Sequence, residues 1–100
     1  MKLYARRQYY RAITKSIAFR FDAPKAHEVV LVIRLANDEA LTTRTLRKSI
    51  DGIWNIQLEL ARGRYVYRFL VDGTPTLDLS SMGSVTDEHG GQWSTREIGY

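Results

Sequence analysis

The chain has 100 residues, room for one domain with a modest core and not for several. It has no cysteine, which excludes a disulfide framework and thiolate chemistry and fits a cytoplasmic protein. The net charge of +4 sits at one end: Lys2, Arg6, Arg7, Arg11, Lys15 and Arg20 all precede the first acid, Asp22, and the rest of the chain is slightly acidic.

Residues 1–15 form a basic leader. Its start holds no apolar stretch of signal-peptide length, and no apolar run in the chain nears the roughly 20 residues of a membrane span. Tyr4, Tyr9 and Tyr10 alternate with Arg6, Arg7 and Arg11. That mixture suits three roles: a grip on nucleic acid or another anionic surface, a solubilising leader, or an extra strand on the folded body. Nucleic acid is the lesser of these, because the body offers no second basic patch.

From residue 13 the pattern has a period of two. Ile13, Ile17, Phe19 and Phe21 alternate with Thr14, Ser16, Arg20 and Asp22, as in a half-buried strand. Pro24 ends it. Residues 28–35 are nearly continuous β-branched and apolar side chains, which predicts a strand covered on both faces. Residues 36–45 are polar and read as a loop, followed by a short strand over 45–48. Asp51-Gly52 marks a tight turn. Trp54, Ile56, Leu58 and Leu60 then share one side, and so do Tyr65, Tyr67, Phe69 and Val71 after Arg62-Gly63. This predicts an antiparallel hairpin with one apolar face. Pro75 restricts residues 76–79 to an edge strand or extended loop. Residues 80–92 read as a long loop, and 93–98 as the last strand. About seven short strands without a long helix predict an all-β antiparallel sandwich.

The order of these pieces resembles carbohydrate-binding module family 48, the type found at the N-terminus of isoamylases and branching enzymes and in the glycogen-binding domain of the AMP-activated kinase β subunit. The matching pieces are Phe19-Arg20-Phe21-Asp22-Ala23-Pro24, Val29-Val30-Leu31-Val32 and Asp51-Gly52-Ile53-Trp54. Then come the run from Gly63 through Tyr65, Tyr67, Phe69 and Val71 to Asp72-Gly73, then Asp78, and then Gly90-Gly91. The resemblance spans residues 17–99 and implies an immunoglobulin-like (early-set) fold over residues 16–100. It also implies an α-glucan ligand, glycogen or starch, and a partner enzyme of their metabolism or a second copy of the chain.

Glycogen-binding members of that family stack two tryptophans on glucose. Here the corresponding positions fall at about Asp38 and at Pro75, and neither is aromatic. The resemblance thus implies weak or lost glucan binding by a recognition or scaffold module. Three residues are left to touch a sugar. Asn37 lies in the first platform's loop, Arg68 replaces the family's lysine, and Trp93 replaces an asparagine. Arg68 reads either as a solvated or ion-paired arginine or as a hydroxyl donor. Trp93 reads either as packing or as a relocated platform, whereas Trp54 belongs to the core by its alternation.

No catalytic pattern occurs. Ser80, Ser81 and Ser84 lack a nucleophile elbow, and there is no phosphate loop. His27 and His89 stand alone, and Asp87-Glu88 is not followed by a calcium-loop pattern, so neither a metal nor a cofactor is expected.

Overall fold

The computed structural model describes residues 13–99. Every element in this span is a strand: β1 (Thr14–Asp22), β2 (Val29–Leu35), β3 (Thr42–Thr45), β4 (Arg47–Lys48), β5 (Ile53–Ala61), β6 (Gly63–Val71), β7 (Thr74–Thr76), β8 (Ser84–Thr86) and β9 (Gln92–Ile98). A smaller sheet has the order β1-β5-β4. A larger one has the order β3-β2-β6-β9-β8, with β7 continuing the β6 edge where β9 stops. All pairings are antiparallel, and the chain is an immunoglobulin-like β-sandwich.

The core lies between the inward faces. Phe19 opposes Ile56 and Phe21 opposes Trp54 across β1 and β5, while Tyr65, Tyr67 and Phe69 project inward from β6. Phe19 and Tyr67 meet edge to face at 5.0 Å between ring centroids. The expected core role of Trp54 holds: it is buried, and its Nε1 donates to the Ala23 carbonyl at 2.8 Å.

The expected hairpin between residues 54–60 and 65–71 does not form. β5 belongs to the smaller sheet and β6 to the larger, so the connection at Arg62 crosses the sandwich instead of joining neighbours. Their apolar faces meet across the core, which the period-two pattern alone cannot distinguish from pairing edge to edge. Two contacts hold this crossing. Tyr65 donates its hydroxyl to the Ala61 carbonyl at 2.8 Å, the tyrosine corner of such sandwiches. Gly63 lets the chain pass close to β2: a Cβ there would sit 2.9 Å from Leu35 Cδ2, so any larger residue would have to push that side chain aside.

Residues 36–45 are not all loop. Thr42–Thr45 forms β3 on the edge of β2, with no residue buried on either face and hence no alternation to read. Leu46, 3% exposed, is the point where the chain leaves β3 in one sheet for β4 in the other. The expected loop over 80–92 contains β8, also wholly exposed. Of the basic leader, residues 1–12 lie outside the described residues, Ile13 is exposed, and Thr14 and Lys15 open β1.

Candidate functional site

β6 is apolar on both sides. Its outward residues Val66 and Leu70 pack with Val30 and Val32 of β2 and with Trp93 of β9 in a second, smaller cluster on the outer face of the larger sheet. Register places Arg68 there too: Tyr67 pairs with Ser94, both inward, so Arg68 and Trp93 are outward neighbours. Trp93 is the one aromatic side chain on that face among the described residues, since the other rings belong to the inner core.

Trp93 is 5% exposed. The guanidinium of Arg68 lies 4.1 Å from its ring centroid, and that of Arg34 lies 5.5 Å away. The indole Nε1 donates to Asp87 Oδ2 at 2.9 Å. Asp87 opens the turn between β8 and β9, and its Oδ1 accepts from the His89 and Gly91 amides at 2.9 and 2.8 Å. These bonds, first that from Trp93 and then that from the Gly91 amide, hold the Asp87 carboxyl below the usual aspartate range.

The two arginines are held differently. Arg34 Nη1 donates to the carbonyls of Leu35, Ala36 and Asp38 at 3.1–3.2 Å, tying it to the turn after β2. Arg68 is half-buried, and its Nε is buried without an acceptor. Gly91 makes room for it: a Cβ there would lie 3.0 Å from Arg68 Nη1 and 2.7 Å from Asp87 Oδ2.

Beside this stack is a shallow depression of about 460 Å³, lined by Arg34, Asn37, Asp38, Glu39 and Glu88 together with Trp93. The three expected sugar contacts are thus grouped. Asn37 is exposed on the rim, Trp93 forms part of the wall, and Arg68 stacks on the ring. Arg34 does not stand out in the sequence, and Asp87 stands out there only as a candidate cation ligand. The usable signal for Asp87 was an Asp four residues before a glycine, a turn-forming arrangement. Nothing local marks Arg34. Asp38 and Pro75, the positions that the resemblance sets against the two stacking tryptophans, are both exposed. His27 and His89 are both exposed, and no metal-holding cluster occurs among the described residues.

A second polar group lies on the inner side. Tyr67 donates its hydroxyl to Asp78 Oδ2 at 2.6 Å. Asp78 Oδ1 accepts from the Ser80 amide and hydroxyl, and the Asp78 amide donates to the buried Ser94 Oγ at 2.9 Å. Burial, and then the Asp78 carboxylate, push the Tyr67 phenol far above its ordinary range. This anchors the 77–83 loop between two depressions of about 700 and 610 Å³, both lined by Asp78 and Ser80. Leu79 and Met82 stand out from that loop at 94% and 101% exposure.

No family model matches this chain, and no curated protein matches it in sequence. Solved structures do match in fold. One is a pullulanase from Anoxybacillus sp. LM18-11 complexed with maltotetraose: 17% identity and a TM-score of 0.66, over 84% of this chain and 13% of that one. Another is a type I pullulanase from Bacillus subtilis strain 168 complexed with maltose: 17% identity and a TM-score of 0.61, over 94% of this chain and 14% of that one. The chain therefore corresponds to about a seventh of each of these enzymes, and the likeness is one of fold. No helix of the described residues is long and apolar enough to cross a membrane.

Proposed function

We propose that this chain is a non-catalytic recognition module of the α-glucan-binding type, with weak or lost affinity for glycogen and starch. The observation that carries it is the grouping of Asn37, Arg68 and Trp93 on one outer face while the indole is covered. A sugar stacks on an open ring face, and Trp93 offers little of one. The fold shared with part of two pullulanases supports the ligand class. Native electrophoresis through gels with and without glycogen or amylose tests the reading. At most a slight retardation is expected, removed by Trp93→Leu. Strong retention, or retention indifferent to Trp93→Leu, refutes a weak site at this place.

A second reading is favoured by Leu79 and Met82, two large apolar side chains exposed on one loop between two depressions. On this reading the chain is a protein-interaction module that pairs with an enzyme of glycogen or starch metabolism or with a second copy. Light scattering after size exclusion then gives a mass above the monomer, or a co-eluting partner, that is lost in the Leu79→Asp, Met82→Asp double variant. A monomer that binds no such enzyme counts against it.

A further inference from the structure

The covering of Trp93 has a particular construction. Its ring packs on Val32 and Val66, and its Nε1 is fixed to Asp87, so the indole itself is set in place. Arg34 is tied to its own turn by three carbonyls. Arg68 has the closest guanidinium, at 4.1 Å, and its buried Nε lacks an acceptor. A buried donor without a partner disfavours the position it occupies. The stack on the indole favours it.

We infer that Arg68 is a displaceable cover that masks Trp93 as a stacking platform for a glucose ring. This inference rests on the reading of the chain as an α-glucan module and concerns the regulation of that same site. A glucan ring that stacks on the indole must first move the guanidinium aside. The stack therefore weakens binding by the strength of one cation–π contact, roughly two- to thirtyfold. Once displaced, the guanidinium regains water or sugar hydroxyls as acceptors, so the covered state holds by a small margin. Gly91 belongs to the device, because any Cβ there would press on both the guanidinium and the Asp87 carboxylate.

The test uses the full chain with Arg68→Thr, Arg68→Ala and Trp93→Leu, alone and with Arg68→Thr combined with Trp93→Leu. Three threonines already lie in the edge strand β3, and either short side chain at position 68 removes the guanidinium nearer the ring. Acrylamide quenching of tryptophan fluorescence reads exposure without any sugar, against the buried, hydrogen-bonded Trp54 as a quiet background. Both Arg68 variants are expected to raise quenching and to increase retardation in amylose gels roughly two- to thirtyfold in apparent affinity. Adding Trp93→Leu is expected to abolish both effects. Unchanged quenching overturns the cover. Weaker retardation of the Arg68 variants, with wild-type retention intact, also overturns it; Arg68 is then itself a sugar contact and the α-glucan reading survives. Increased quenching with no retention by any variant overturns the cover and the α-glucan reading together.

Discussion

Tyr67→Phe removes one oxygen from the centre of the molecule and tests how the exposed 77–83 loop is held. The ring is buried and keeps its edge-to-face contacts with Phe19 and Phe69 in the variant, so packing changes little. What is lost is the 2.6 Å bond to Asp78 Oδ2. Bonds to charged groups contribute about 2 kcal/mol net, about twice a neutral pair. Tyr65→Phe is the matched control, because its hydroxyl reaches a neutral carbonyl at 2.8 Å and the ring is equally buried. Its loss is expected to cost about 1 kcal/mol. For a domain of this size these figures correspond to melting-point drops of about 8–16 °C for Tyr67→Phe and about 4–8 °C for Tyr65→Phe. Thermal and urea unfolding followed by circular dichroism measures both. The alkaline limb separates them further. The folded-state pKa of Tyr67 is raised, so its contribution is whole below about pH 10 and falls as pH rises beyond it, where the unfolded chain sheds that proton first. Tyr67→Phe is expected to lose less stability above pH 10 than the wild type. Equal melting-point drops in the two variants, or an unchanged alkaline limb, would falsify the anchoring role of the Tyr67–Asp78 bond.

Leu46→Ala empties the site where the chain passes between sheets and is expected to cost about 2–4 kcal/mol, read from the urea midpoint; a loss below about 1 kcal/mol means the crossing does not depend on that side chain. Arg96 stacks 4.9 Å from Phe19 and donates to the Ala18 carbonyl on β1, whose other edge pairs with β5, so Arg96→Ala should cost about 1 kcal/mol and raise self-association in light scattering; an unchanged mass distribution shows that the edge needs no such guard. Asp51, Asp72 and Asp87 all have folded pKa values below the ordinary aspartate value, so their contributions are present above about pH 4 and lost as pH falls further. Asp87→Asn should therefore flatten the fall in urea midpoint below pH 4, and a curve as steep as that of the wild type removes Asp87 from the account.

The strands that bury one or both faces were legible in the sequence. Their apolar residues repeat every second position in β1, β5 and β6, or run unbroken in β2, because burial imposes those patterns. The pairing of β5 with β6 was misread for the same reason. Alternation reports which side of a strand is buried and not which edge is bonded. The outward Val66 and Leu70 were the available sign that β6 is a central strand needing neighbours on both edges. β3 and β8 escaped notice because exposed strands carry no alternation. At the site, Arg68 and Trp93 were marked by the resemblance to the carbohydrate-binding family. Their stacking was not, since it depends on a cross-strand register fixed by the whole sheet.

Arg96 and Arg68 each lie over an aromatic ring, and their hydrogen bonds set them apart. Arg96 over Phe19 also donates at 2.9 Å to a carbonyl of the opposite sheet, so stacking and bonding hold it in one place and it ties the two layers together. Arg68 over Trp93 has the closer stack and a buried donor with no acceptor. Where both forces agree, the side chain is a structural tie, and moving it costs stability. Where they oppose, the position is held by a small difference, which a ligand offering hydroxyl acceptors and a flat apolar face can reverse. On the proposed reading, a covered tryptophan and a weak site therefore belong to the same arrangement. The indole is fixed in orientation by Asp87, and on the proposed reading its availability to a sugar depends on Arg68, whose buried Nε has no acceptor where it lies.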